Sequence, residues 1–317
     1  MTETAEARAV PDGVLGEAER GGLRWPAPFT TPGWVDAWAS TVGRGDSVTW
    51  IVPREGNTPI AALPVVLRGD EARVAGSPDL CDYADLAVSP GREREGWEGV
   101  RALLRDRGVR RLTAEAVRPD ADLLRAARAT GCEVRTTPAG VTVEMPLPPT
   151  WEGYLSGLPK HERHEVRRKI RRLGEAGSVT WRRSRRPDAD LTVFFRLFAE
   201  SRPDKGAFLT PARRAFFERI ARVLAAAGAL DLGVLEVDGE PVAATFGFTW
   251  DDTAYLYNNG FAPAWAGRSA GLVAKTFSIR DAIERGCRRY SFLRGDEPYK
   301  FRLGGRPVPL LGLTVRP

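Results

Sequence analysis

Two short stretches of this 317-residue chain repeat one another, and they bear most directly on its fold. Gly56-Asn57-Thr58-Pro59-Ile60-Ala61-Ala62 matches Gly239-Glu240-Pro241-Val242-Ala243-Ala244, which is one residue shorter. Each is a Gly-led polar turn feeding an apolar run, the pattern of a hairpin entering a strand. A match this short arises by chance, but the same order of elements surrounds it twice. Each half runs strand, strand, helix, strand, which favours two copies of one α/β unit. A chain of 317 residues has room for two domains of about 100–200 residues each.

In the first half, Thr31 as N-cap and Pro32 at the first helical position predict a helix start within 29–38. Strands are expected at 48–53, 59–67 and 72–75, followed by the polar stretch 77–85. A helix over 93–108, a strand over 109–116, a helix over 119–130 closed by Gly131 and a strand over 141–145 complete the half. The run PLPPT at 146–150 suits neither helix nor central strand and reads as a linker. The expected division is a loosely attached, disordered terminus at 1–20, a first domain at 21–148 and a second at 149–317. The second half opens with a basic helix over 158–173, then helices over 191–200 and 211–227. Strands follow at 232–237, 242–249 and 254–258, then a small-residue turn at 266–271 and an amphipathic helix to Arg285. A strand over 289–293, a polar cluster and an apolar strand over 308–315 end the chain. The fold class is mixed α/β.

Composition is 43% hydrophobic and 28% charged, that of a soluble globular protein. No run of ~18 apolar residues exists, so no membrane span and no membrane partner is expected. Cys81, Cys132 and Cys287 are odd in number and far apart, which argues against a disulfide framework or zinc site and for a reducing cytoplasm. His161 and His164 lack an obvious third ligand, and no metal is expected. The formal charge of +6 is concentrated: residues 160–186 hold eleven Lys/Arg against three Glu, a local +8 that leaves the rest of the chain at −2. Like charges around one helix repel at i,i+4, and a polyanionic partner relieves this.

The stretch 253–305 concentrates the chemistry. A strand end, a small-residue turn and a helix start together can aim backbone N–H groups at an anion. Just past the next strand lie Arg294, Asp296, Glu297, Tyr299 and Lys300. Each feature also has an ordinary structural reading: Ser269 as a plain helix cap, the cluster as an ion network around a turn, Asp82 and Asp85 as turn residues.

Phe29-Thr-Thr-Pro-Gly-Trp34, Ala62-Leu-Pro64, Asp82-Tyr83-Ala-Asp85, the basic helix, Gly260-Phe261 and Phe292-Leu-Arg-Gly-Asp-Glu-Pro-Tyr-Lys300 together resemble one family. They are similar to GNAT proteins of the cellulose-biosynthesis (CelD-type) acetyltransferase family, whose layout resembles the tandem-GNAT Fem peptidyltransferases. The resemblance covers roughly residues 29–304. It implies two tandem GNAT-like domains, each a mixed, mainly antiparallel sheet flanked by helices. It also implies transfer of an acyl group from coenzyme A, or of an aminoacyl group from tRNA, to an amine. Arg268-Ser-Ala-Gly271 stands where the family has its pyrophosphate loop, while Val273 and Ala270 depart from that pattern.

Making an amide from a thioester requires a neutral amine, a stabilised oxyanion and a protonated leaving thiolate. Asp82, Asp296 and Glu297 are the candidate bases and Tyr299 the candidate acid. One oxyanion donor, such as an N–H near Asn258, is worth ~3 kcal/mol. Arg268, Ser269, Gly271, Asn258 and Lys300 are the candidate cofactor contacts. Tyr83, Asp85, Arg294, Arg163 and Arg167 are those for substrate. The expected reaction is direct transfer from acyl-CoA to the amine of a small metabolite held between the two halves. The alternatives are aminoacyl-tRNA-dependent amide formation and a non-catalytic polyanion-binding scaffold.

Overall fold

The structure, a computed structural model, describes residues 22–317. The expectation for 1–20 lies outside them. The described residues divide into two compact units, 22–140 with 309–317 and 141–308. The closing segment 309–317, expected with the second half, belongs to the first unit. The two halves are therefore not simply consecutive.

In the first unit, helix α1 (Pro32–Ala39) has Thr31 as its N-cap residue and Pro32 at its start. Strands β1 (Val48–Ile51), β2 (Ala61–Arg68) and β3 (Glu71–Val74) form an antiparallel meander. Helix α2 (Glu93–Asp106) crosses to β4 (Arg111–Val117), which runs parallel to β3. Helix α3 (Asp122–Ala129) follows. Trp97, Val100 and Leu104 recur at helical spacing on α2 and are fully buried against Leu63, Val65 and Leu112. Burying each such side chain contributes roughly 1.5–3 kcal/mol.

Strand β5 (Glu133–Pro146) carries the chain into the second unit. It begins eight residues earlier than 141, because Pro138 and Gly140 make its first half read as a turn. Helix α4 (Trp151–Gly157) is capped by the Thr150 hydroxyl, which accepts from Gly153 N–H, and precedes the basic helix α5 (Lys160–Gly174). Then come β6 (Val179–Arg183), α6 (Pro187–Ser201), the short α7 (Pro203–Phe208) and α8 (Pro211–Ala226). Strands β7 (Leu230–Val237), β8 (Glu240–Trp250) and β9 (Thr253–Phe261) are antiparallel neighbours. Helix α9 (Ala270–Glu284), strand β10 (Arg289–Arg294), helix α10 (Pro298–Arg302) and strand β11 (Arg306–Arg316) complete the chain. Within this unit the sheet order is β5-β10-β9-β8-β7-β6, antiparallel throughout except where β9 meets β10. The architecture is mixed α/β, a mainly antiparallel sheet flanked by helices.

Helices cover both faces of that sheet, which its alternation shows. Gly260 of β9 lies against the backbone of Phe198 on α6, while its neighbour Phe261 lies against Gly271 on α9. Successive strand residues point to opposite faces, so α6 and α9 are on opposite sides. On the α9 side, Ala254 and Leu256 join Ile279 and Ala282 in one cluster. On the α6 side, Phe194, Phe217 and Phe246 pack ring to ring with Tyr257.

Candidate active site

The parallel pairing of β9 with β10 stops early. It joins Thr253 to Arg289, Ala254 to Tyr290 and Tyr255 to Ser291. Two distortions part the strands beyond that point. On β9 a bulge shifts the register with β8, so that Phe246 faces Asn258 while Gly247 faces Leu256, leaving Tyr257 as the extra residue; a bulge bends its strand. On β10 the register with β5 shifts between Ser291 and Arg294, and Leu293 adopts a left-handed φ of 58°. The result is a slot in the sheet whose one wall is the segment 257–261.

Lys300 braces the other wall. Its side chain is 2% exposed, and its ammonium donates to the carbonyl oxygens of Leu293 (3.1 Å), Arg294 and Gly295 (3.2 Å). It also pairs with Glu297 at 2.9 Å. Lys300, a candidate cofactor contact, thus directs its donors at the turn after β10. Gly295 is required there: its φ is +104°, and a Cβ would lie 2.5 Å from the Glu297 carboxylate.

Four further side chains meet at the slot. Lys275 on α9 is 7% exposed, donates to the Gly271 carbonyl (3.2 Å) and lies 4.5 Å from the centre of the Tyr299 ring. Burial pushes its ammonium down to about 7; Lys205, Arg202 and Lys300 act in the same direction, and Glu297 opposes them. Lys205 on α7 comes from the opposite face, donating to the Asn259 carbonyl with its ammonium 4.9 Å from the Phe198 ring. Burial and Arg202 push it down to about 8 against Asp204 and Glu297. Burial and the charge of Glu297 raise Tyr299, so its hydroxyl keeps its proton. Burial alone would raise Glu297, but the hydrogen bond and charge of Lys300 outweigh it and hold the carboxyl below its usual range.

The anion turn is built differently from a simple loop. A 3₁₀ turn at Pro263–Arg268 leads to Ser269 in the left-handed region (φ 60°), and α9 starts at Ala270. The Ser269 hydroxyl makes no cap bond, and the first backbone N–H groups of α9 have no acceptor within the helix. Gly271 is buried, and a Cβ there would lie 2.7 Å from the Phe261 ring, so its smallness serves helix–strand packing. Val273, a departure from the family's loop, points into the core with Leu235 and Ala243. Arg268 is exposed and donates to the carbonyl of Arg172 (3.2 Å), which sets the turn beside the end of the basic helix. Arg167 is exposed on that helix; Arg163 donates to the Ser156 carbonyl (3.3 Å). Asn258 sits at the bulge, Asp296 is exposed on the turn after β10, and Arg294 is partly buried at the end of β10.

The candidate residues of the first half lie in the first unit. Asp85 is 8% exposed, and its carboxylate accepts from the N–H groups of Leu86 (2.7 Å), Leu123 (2.9 Å) and Asp122 (3.3 Å). It caps α3. Burial pushes it up to about 7 against those bonds. Tyr83 is 5% exposed, edge-on to Phe29 and under the Arg118 guanidinium. Asp82 lies beside it in the same first-unit loop, half-buried.

Residues 160–301 match the family model described as Acetyltransferase (GNAT) domain. The match lies wholly within the second unit. No curated protein matches the chain by sequence. Among solved structures, FemX is similar over 97% of this chain and 96% of its own, with TM-score 0.68 and 11% identity. L-PGS from Bacillus licheniformis is similar over 99% and 94%, with TM-score 0.63 and 11% identity. A conserved protein of unknown function from Bacteroides thetaiotaomicron covers 98% and 99%, with TM-score 0.64 and 12% identity. At these identities the likeness is one of fold. Among the described residues there is no cluster of metal-ligating side chains and no helix long and apolar enough to cross a membrane.

Proposed function

We propose that this chain transfers an acyl group from a coenzyme A thioester to the amine of a small metabolite. The observation that carries this reading is the parting of β9 from β10 beside the start of α9. A strand edge released from its neighbour offers main-chain groups to an extended partner, and the amide-bearing arm of coenzyme A is such a partner. Its phosphates then meet the N-terminus of α9 and Arg268.

Glu297, ionised and half-exposed at the mouth, takes the proton that the acceptor ammonium must lose. The neutral amine attacks the thioester carbonyl; the carbon–nitrogen bond forms as the carbon–sulfur bond breaks. N–H groups of the 257–261 segment face the developing oxyanion, the Tyr299 hydroxyl protonates the departing thiolate, and the proton that the new amide nitrogen sheds returns to the Tyr299 oxygen. Thiol release from acetyl-CoA with a panel of amines tests this. Glu297→Gln and Tyr299→Phe should each lower kcat by roughly 10²–10³-fold with little change in coenzyme A binding. Full rates in both variants would remove the assignment.

Aminoacyl-tRNA as donor is the second reading, favoured by one contact: Arg268 against the carbonyl of Arg172 joins the anion turn to the exposed arginines of α5. Coenzyme A and tRNA binding at two salt concentrations separate the two donors, since contacts to many phosphates weaken steeply with salt. Coenzyme A binding without tRNA binding leaves the first reading.

A further inference from the structure

Strand β9 has β8 on one edge and β10 on the other, and successive residues turn their N–H and C=O groups to the two edges in alternation. The Ala262 N–H donates to the Val242 carbonyl (2.9 Å), so 262, 260 and 258 direct their main-chain groups at β8. Asn259 and Phe261 therefore direct theirs the other way, to the edge along which pairing with β10 ends at Tyr255. At that edge the Asn259 carbonyl accepts from the ammonium of Lys205, which α7 supplies. The same ammonium lies 4.9 Å from the centre of the Phe198 ring, and among the described residues it forms no ion pair.

Lys205 thus stands where a neighbouring strand would place its own N–H. Facing residues of such a strand pair exchange two bonds, N–H to C=O in each direction. The residue that donates to a carbonyl also presents, roughly 3 Å from its nitrogen, the oxygen that accepts from the opposite N–H. Lys205 supplies the donor of this exchange and no acceptor. An oxygen that accepts from the Asn259 N–H therefore comes within hydrogen-bond reach of the ammonium, which has two further protons to donate. Phe261, the other residue on this edge, lies against Gly271 at the start of α9. A donor whose phosphates sit at that helix start reaches Phe261 first, with its amide arm, and Asn259 next, with its thioester.

We propose that Lys205 is a catalytic residue, its ammonium and the Asn259 N–H together holding the oxygen of the tetrahedral intermediate. The proposal rests on the acyl-transfer reading above and adds a positive charge to an oxyanion site that there consists of main-chain groups. As the amine nitrogen bonds to the carbonyl carbon, the C=O π pair moves onto the oxygen. It returns as the carbon–sulfur bond breaks and that bond's pair leaves with sulfur. Lys205 keeps its protons throughout; the proton transfers belong to Glu297 and Tyr299. The charged groups that bear on Lys205 are Arg202 and Asp204, which pair with each other, Glu297 on the turn after β10, and Lys275 on α9. Together with burial they set its value at about 8, so it is charged at neutral pH and loses the charge as pH rises further.

Infrared difference spectroscopy of acetyl-CoA labelled with carbon-13 at the carbonyl, bound to the full chain without an amine, reads this site without turnover. At pH 7 the bound thioester carbonyl should absorb at lower wavenumber than in free acetyl-CoA, and the shift should fade as pH rises through about 8. Lys205→Met should remove most of the shift and lower kcat for thiol release roughly 10²–10³-fold, with coenzyme A affinity little changed. Lys205→Arg, which keeps the charge, should retain part of the shift. If Lys205 only satisfies the Asn259 carbonyl, Lys205→Met changes the melting temperature and leaves the bound carbonyl where it was. Should that variant fail to fold, the pH dependence in the parent protein decides. A bound carbonyl that absorbs as it does in free acetyl-CoA overturns the proposal, as does a shift that survives in Lys205→Met or well above pH 8. A parent protein that binds no coenzyme A removes the acyl-CoA reading and this proposal with it. A Lys205-dependent shift without acyl transfer to any amine counts against the amine acceptor alone.

Discussion

Lys300 and Lys275 are both buried ammonium groups, and their surroundings give them opposite effects on stability. Lys300 has three carbonyls and a carboxylate. Lys300→Met should cost roughly 3 kcal/mol or more, because it leaves the carbonyls of the 293–295 turn without a donor and Glu297 without its partner. Lys275 has one carbonyl and a ring, and its folded-state value near 7 lies below the ordinary 10.5. The unfolded chain therefore binds that proton more tightly. Stability is lowest below about pH 7 and rises as pH climbs from 7 towards 10.5, by an amount on the order of a few kcal/mol. Lys275→Met should raise the melting temperature at pH 7 and flatten this slope to the part left by Lys205, whose window runs from about 8 upward. A melting temperature unchanged by Lys275→Met across pH 6–9 would show that the ammonium is not isolated. Neither lysine stands out in the sequence. Lys275 reads as an ordinary polar residue of an amphipathic helix, and Lys205 lies in Arg-Pro-Asp-Lys-Gly, which reads as a loop although Pro203 starts a helix. The rings and the strand carbonyl that they meet are brought to them only by folding.

At the scale of elements, 253–305 was legible in order: strand, turn, helix, strand and polar cluster all form. The bulge at Tyr257 was not, because a bulge depends on the register with a partner strand and leaves the local alternation almost unchanged. It converts an ordinary strand end into a site wall, and Gly260 is what keeps that wall in place. A Cβ there would lie 2.3 Å from the backbone nitrogen of Phe198, an atom with no rotamer to yield. Gly260→Ala should therefore push α6 away from β9, lower stability by roughly 1–3 kcal/mol as overpacking does, and disturb the Asn259 carbonyl that holds Lys205. A parallel loss of stability and of acyl-transfer rate is the expected signature. If the variant melts like the parent, the close approach of α6 to the strand is wrong.

At the scale of the whole chain, the duplicated hairpin pointed to an α/β architecture and the family resemblance to a mainly antiparallel sheet, and both features are present. What the repeat could not convey is where the last strand goes. An apolar strand at the end of a half is satisfied by any open edge, and local pattern does not choose among them. In the structure, Leu313 and Val315 are 2% and 0% exposed within the first unit's core, and β11 pairs Thr314 with Thr113 of β4. Residues far apart in the sequence thus complete one core. Deleting 309–317 removes two buried side chains worth roughly 1.5–3 kcal/mol each and strips β4 of its antiparallel neighbour. The free edge it leaves invites pairing with another chain. Hydrogen exchange on the truncated protein should show β4, Arg111–Val117, losing protection more than β7 and β8, whose mutual pairing lies wholly within 230–250. Equal losses in both regions would mean that the first unit's core does not depend on its last strand.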